Sequence, residues 1–93
     1  MTEWDRLSAD LKMCVTIYDE RESGRKVWAS RLCDLLKGDL SRMEISQNED
    51  CLMDIGVLDK QYVKVDGMWT NCYIIEPEAE GFIANVAANV RRR

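Results

Sequence analysis

The 93-residue sequence contains no histidine, a single proline and no repetitive stretch. Without an imidazole, the usual general base, triad member and metal ligand are missing, which excludes many hydrolase mechanisms. Apolar residues make up 46% of the chain and charged residues 32%, a balance typical of a globular protein and unlike that of a disordered or collagen-like one. We therefore expect one folded domain that is not an enzyme and that needs neither a cofactor nor a metal ion.

Long apolar runs are also missing. No stretch approaches the roughly 18 apolar residues of a membrane-spanning helix, and residues 1–6 lack the basic and then apolar pattern of a signal peptide. These two absences predict a soluble, cytoplasmic protein without a membrane partner.

The four cysteines are widely spaced and form no CxxC or CxC pair. Such spacing gives no local zinc chelate and no dithiol motif. We expect Cys14, Cys33, Cys51 and Cys72 to behave as small buried hydrophobic residues in a reducing compartment. A redox-sensing thiol, or a metal site assembled between subunits, remains a second interpretation.

Positive charge is scarce. The chain has 13 basic and 17 acidic residues, and six of the acids fall within residues 1–24. Apart from the terminal Arg91, Arg92 and Arg93, it lacks the basic footprint of a strong non-specific nucleic-acid binder.

Apolar spacing predicts three helices in the first 55 residues. Apolar residues with a helical period of 3.6 predict a first helix from Trp4 to about Glu20. Met13 and Ile17 lie outside its apolar stripe, so a second surface must pack against this helix. A second helix is expected from about Val27 to Lys37.

The third helix has the strongest local signal. Ser41 and Glu44 form a capping-box pattern, and Leu40 and Ile45 can pack as a hydrophobic staple. The helix is predicted to run to about Ile55, with a left-handed glycine cap at residue 56.

Alternation replaces helical spacing after residue 60. Two strands, at residues 62–65 and 68–75, flank Asp66-Gly67, a pair typical of a type I′ hairpin turn. This register pairs Val65 with Met68, and it places Lys64 opposite Trp69. We expect Trp69 to pack against a neighbouring tyrosine, or else to contact a partner. Pro77 then opens a last helix, predicted to about residue 90.

Together these elements resemble a winged helix-turn-helix domain of the repressor-like regulators, which include the multiple-antibiotic-resistance and arsenical-resistance families. The resemblance rests on residues 41–58, which match a recognition helix, and on Tyr73 to Ala79, which match the segment after the wing. It implies an α+β fold of three helices, a hairpin wing and a C-terminal helix. Glu49 departs from the pattern, which has an apolar residue facing the core at that position.

The resemblance also implies a function, namely sequence-specific binding of double-stranded DNA by a small transcriptional regulator. Exposed polar residues of the third helix would then contact the bases, and cationic residues on the second helix and the wing would contact the phosphates. The first set is Arg42, Ser46, Gln47 and Asn48; the second is Lys26, Arg31, Lys37, Lys60 and Lys64.

The resemblance further implies a homodimer, which would set two recognition helices one DNA turn apart. Its predicted interface joins the surplus apolar residues of the first helix to the stripe of the last: Met13, Ile17, Phe82, Val86 and Val90. The alternative for these two helices is that they pack on each other within one subunit. A protein partner in place of DNA is the alternative, because the third helix carries four acids against Arg42 alone.

Overall fold

A computed structural model describes residues 2–90, which form four helices and one two-stranded antiparallel sheet. The elements, in chain order, are α1 (Ala9–Glu22), α2 (Ala29–Leu35), α3 (Arg42–Asp54), β1 (Leu58–Val65), β2 (Met68–Ile75) and α4 (Pro77–Asn89). This is the predicted α+β winged-helix order. Arg91, Arg92 and Arg93 lie outside the described residues.

The first helix begins at Ala9, so the prediction that it starts at Trp4 is wrong. Ser8 has an extended backbone and precedes the helix, and the preceding residues form a turn. Trp4 is nevertheless buried, and its indole Nε1 donates a 3.2 Å hydrogen bond to Oδ1 of Asp39. The apolar spacing therefore marked a buried residue correctly but assigned it to the wrong local structure.

The second helix is also shorter than predicted, because residues 27 and 28 are extended. The N–H of Tyr73 donates a 2.8 Å hydrogen bond to the carbonyl of Val27, and Trp28 pairs antiparallel with Cys72. This short pairing adds a third extended segment to the edge of β2. It ties the start of α2 to the hairpin.

Both predicted ends of the third helix are confirmed. Ser41 Oγ accepts from the N–H of Glu44, and the Glu44 carboxylate accepts from the N–H of Ser41, which completes the capping box. At the other end the N–H of Val57 donates to the carbonyl of Leu52, while Gly56 has φ +78°. This is a Schellman cap, which allows α3 to turn directly into β1.

The predicted hairpin register is confirmed, because Val65 lies opposite Met68 and Lys64 lies opposite Trp69. Asp66 and Gly67 have φ values of +51° and +82°, as a type I′ turn requires. The strand β1 is longer than predicted and begins at Leu58, which is buried at the base of the wing.

The core surrounds α1, and this placement corrects the predicted dimer interface. Met13 and Ile17 are 0% and 2% exposed, so both faces of α1 are covered within one chain. Since α1 packs against α2, α3, α4 and the hairpin, its surplus apolar residues are already buried. Ile83 is the fully buried residue that α4 contributes to this core, and Ala79, Val86, Ala87 and Val90 pack against the core partly buried. Phe82, in contrast, is 62% exposed.

Helices α1 to α4 are short in comparison with a membrane span. None of them, within residues 2–90, is both long enough and apolar enough to cross a bilayer.

Candidate nucleic-acid interface

The third helix presents one face to the core and the opposite face to solvent. Ile45 and Leu52 are buried. At about 100° per residue the direction opposite them is occupied by Met43 and Gln47, with Asp50 one turn and Asp54 two turns further along. Met43 is 69% exposed. The outward face of α3 is therefore available to a partner along its whole length.

Three of the predicted base-reading residues lie on this exposed surface. Gln47 is at its centre, and Arg42 and Ser46 lie along one flank, all three exposed. Asn48 lies on the other flank, half-buried, and its Nδ2 donates a 2.7 Å hydrogen bond to the carbonyl of Glu44. The amide of Asn48 is thus engaged by the helix itself.

Glu49, the acid that departs from the family pattern, lies in the seam between α3 and the hairpin. Its carboxylate accepts a hydrogen bond from the hydroxyl of Tyr73 and is 2.9 Å from Nζ of Lys60. The Lys60 ammonium also lies 5.3 Å from the centre of the Tyr73 ring. We call these three side chains the seam triad. They join the recognition helix to both strands of the wing.

Burial makes the seam triad a set of mutually dependent groups. The side chains of Glu49 and Lys60 are only 17% and 24% exposed, so each charge depends on its partner in place of water. Burial first, and then the hydrogen bond to Glu49, raise the pKa of Tyr73. The phenol therefore stays protonated and keeps donating to the carboxylate at neutral pH.

Two of the predicted phosphate contacts are committed to ion pairs inside the chain. Lys60 belongs to the seam triad, and Nη2 of Arg31 is 2.6 Å from Oε1 of Glu20. Arg31 also donates a 3.0 Å hydrogen bond to the carbonyl of Lys26. Neither cation is presented to a ligand as an unpaired charge.

The other three predicted phosphate contacts, Lys26, Lys37 and Lys64, are exposed, but they point to different sides. Lys37 lines a cleft with Arg42, where α2 approaches the start of α3. Lys26 instead lies beside Val63, on the face of the hairpin opposite the seam triad. Lys37 therefore lies beside Arg42 at the start of α3, and Lys64 lies on the same face of the hairpin as Lys60.

The wing presents an aromatic surface. Trp69 is 67% exposed, and the Nζ of Lys64 lies 5.6 Å from the centre of its ring. The expectation for Trp69 is packing against Tyr62 or Tyr73, yet its ring is largely exposed, as is that of Tyr62, at 67%. Cross-strand pairing with Lys64 is instead the contact that accompanies this ring.

Acids remain on the outward face of α3, and they lower its affinity for phosphate. Glu44 is held in the capping box and Glu49 is turned inward. Asp50 and Asp54 are exposed and lie on the same side of Gln47 in projection, within about 60° of it. The face is therefore polar, but it is not a basic surface.

The cysteines divide between core and surface. Cys14 and Cys72 are buried, as expected, and burial followed by the charge of Asp10 raises the pKa of Cys14 to about 12. Cys51 is exposed on α3, contrary to the expectation of buried thiols, and Cys33 is half-buried. No three cysteine or carboxylate side chains converge as a metal site within residues 2–90.

The remaining predicted dimer residues lie on α4 and at its C-terminal end, where Phe82 is exposed and Val86 and Val90 also pack against the core of their own chain. Val86 and Val90 are half-buried and form a groove with Leu7 from the N-terminal turn. The exposed ring of Phe82 lies one helical turn before Val86. We call Leu7, Phe82, Val86 and Val90 the α4 patch.

Sequence reasoning missed the seam triad and the pairing of residues 27 and 28 with β2. The one signal for the triad was negative, namely an acid at a position that should face the core. Its partner Lys60 is 11 residues away along the chain and Tyr73 is 24 away, so no local rule connects them.

A solved structure that resembles the chain is that of the circadian clock associated protein Pex from Anabaena. The two chains are 17% identical, and the alignment covers 88% of this chain and 76% of that one with a TM-score of 0.64. No protein-family model matches the chain, and no curated protein sequence matches it significantly. At this identity the likeness is one of fold, and the fold of this chain is a winged helix.

Proposed function

We propose that this protein binds double-stranded DNA in a sequence-specific manner, as a small transcriptional regulator of the repressor-like type. The observation that carries the proposal is the arrangement of α3 and the wing. The outward face of α3 is exposed with Gln47 at its centre, and the seam triad fixes that face relative to the hairpin. A recognition helix and wing held at one angle can enter adjacent grooves together.

Within this proposal the side chains divide into two classes of contact. Gln47 presents an amide that can pair with both polar atoms of an adenine edge, and Arg42 can pair with guanine. Lys37 and Lys64 contact phosphates and so set position. Because Lys60 and Arg31 are paired internally, we expect only about two or three phosphate contacts per subunit, and hence a shallow salt dependence.

The test is fluorescence anisotropy with a preferred duplex, selected from a random pool, and with unrelated duplexes. We expect Gln47→Ala to weaken binding to the preferred duplex by about 1 to 3 kcal/mol and to have far less effect on the others. Lys64→Ala should weaken binding to all duplexes alike and reduce the salt slope by about 1. Absence of binding to every duplex in about 50 mM salt would refute the proposal.

A second candidate function is contact with a protein through the same face. It is favoured by Asp50 and Asp54, which lie beside Gln47 and repel phosphate, and by the exposed side chain of Met43. Substituting both acids with asparagine separates the two functions. DNA affinity should rise in the double variant, whereas affinity for a basic protein surface should fall.

A further inference from the structure

A groove separates the loop between α1 and α2 from the face of the hairpin that points away from α3. Its volume is about 240 Å³. The exposed residues at its rim include Arg25, Lys26 and Gln61, while Val27 and Cys72 are buried in its floor. Tyr73 of the seam triad also lines the groove. The other strand residues there, Gln61, Val63, Cys72 and Ile74, alternate with Lys60 and Tyr73 along the strands, so their side chains lie on the face of the sheet opposite the seam triad.

The lining of this groove is cationic on one side and apolar on the other. Arg21, Arg25 and Lys26 line it, and within residues 2–90 no aspartate or glutamate does so. Arg21 is paired with Glu80 at 3.1 Å, and Arg25 is paired with Glu20 at 2.9 Å. Among the residues that the structure describes, no ion pair engages Lys26. Its ammonium is therefore the charge that a bound anion would meet.

The floor of the groove is apolar, and a backbone hydrogen bond holds its two sides together. Ile17, Val27 and Cys72 are buried there, and Val63 and Ile74 are half-buried. The hydrogen bond between the Tyr73 N–H and the Val27 carbonyl holds the α2 side of the groove against β2. An apolar body placed on this floor would gain burial without requiring the strands to move.

We propose that this groove binds a small organic anion, a carboxylate on an aromatic or branched apolar body. The carboxylate would pair with Lys26 at the rim, and the body would cover Val63 and Cys72. Ligand sites in proteins combine an apolar lining with a few placed polar groups in this way. A bare inorganic anion would leave the apolar floor uncovered, and an uncharged ligand would leave Lys26 without a partner.

The test uses 2-naphthoate as the probe and 2-naphthamide, which has the same shape without the charge, as its match. Binding is followed by calorimetry and by backbone amide shifts of the ¹⁵N-labelled full chain. We expect 2-naphthoate to bind about two- to fivefold more tightly than 2-naphthamide, since an ion pair with an exposed lysine is worth up to about 1 kcal/mol. The largest shifts should fall on Val27, Val63 and Cys72.

Two variants locate the site. Lys26→Gln should remove the preference for the acid over the amide, while Lys37→Gln, an exposed lysine outside the groove, should keep it. Unchanged far-ultraviolet circular dichroism shows that each variant is folded. Equal binding of acid and amide, shifts centred on another part of the chain, or no binding at millimolar concentration would each overturn the proposal. None of these results depends on whether the protein binds DNA.

Discussion

At the scale of single residues, Glu49 shows how an acid can serve as a packing residue. Winged-helix domains ordinarily have an apolar side chain at this position of the third helix. That side chain packs against the hairpin only by burying apolar surface. Here Glu49 instead receives a phenol hydrogen bond and a lysine charge from two different strands. Directional contacts of this kind fix an angle between elements more narrowly than apolar contact does.

Truncation of Glu49 should therefore cost more than the loss of a surface acid. We expect Glu49→Ala to lower the free energy of unfolding by about 1 to 3 kcal/mol, because it leaves the Tyr73 hydroxyl and the Lys60 ammonium partly buried without their partner. Urea denaturation measures this change. Asp50→Ala, the exposed neighbour, is the control and should change stability by less than about 0.5 kcal/mol. Equal effects of the two substitutions would contradict the role assigned to Glu49.

Glu20 gives a pH-dependent prediction. Hydrogen bonds from Arg25 first, and then from Arg31, hold the pKa of Glu20 below its ordinary value of 4.5. A carboxyl whose pKa is lower in the folded state stabilises the fold above its unfolded pKa, and this contribution is lost as pH falls through the folded value. Glu20→Gln should thus be less stable than the wild type at pH 7, by about 1 kcal/mol.

The same comparison, made by thermal unfolding across a pH series, carries its own control. The gap between Glu20→Gln and the wild type should be constant from pH 7 down to about pH 5 and should close below about pH 4. A gap that persisted unchanged at pH 3 would show that the substitution acts through packing and not through the charge of Glu20.

At the scale of elements, local chemistry decided some boundaries and distant contacts decided others. Ser41 with Glu44, and Asp66 with Gly67, satisfy their hydrogen bonds or backbone angles within four residues, so the sequence predicted both features correctly. Trp4 behaves differently, since its indole bonds to Asp39, 35 residues away. The periodicity of apolar residues alone led to the prediction that the first helix includes Trp4.

The same distinction separates the correct and the missed parts of the candidate site. Exposure of Gln47 follows from the helical spacing of α3, which a sequence contains. The spacing of apolar residues does not show how many elements pack around α1. Met13 was therefore predicted to lie in a dimer interface, although it is fully buried within one chain. The use of Lys60 and Arg31 in internal ion pairs likewise required the tertiary arrangement.

The capping box of α3 offers a test at this scale. Ser41→Ala removes the acceptor for the Glu44 N–H and should lower the free energy of unfolding by about 1 kcal/mol. Ser46→Ala, an exposed serine in the same helix, is the matched control and should be neutral or slightly stabilising, because alanine has the higher helix propensity. A thermal midpoint unchanged in Ser41→Ala would argue that another contact sets the start of α3.

At the scale of the whole molecule, the question is what covers the α4 patch. Burial of Met13 and Ile17 removes them from any interface, which leaves Phe82, Val86 and Val90 of the predicted dimer residues. The open groove beside Leu7, Val86 and Val90 is about 500 Å³, and the exposed ring of Phe82 lies next to it. In a two-fold dimer, the Phe82 of each subunit could fill the groove of the other, which is a self-complementary arrangement.

The homodimer is therefore predicted to depend on Phe82. Sedimentation equilibrium at high micromolar concentration should give about twice the 10.8 kDa chain mass for the wild type, and the chain mass for Phe82→Ser. Tyr62→Ser removes an equally exposed aromatic from the wing and should remain dimeric. Because each subunit of a dimer contacts one half-site, Phe82→Ser should also lose most of its affinity for a palindromic duplex while retaining weak affinity for a single half-site. A wild-type protein that sediments only at the chain mass would remove the dimer, and with it the expectation of a palindromic target.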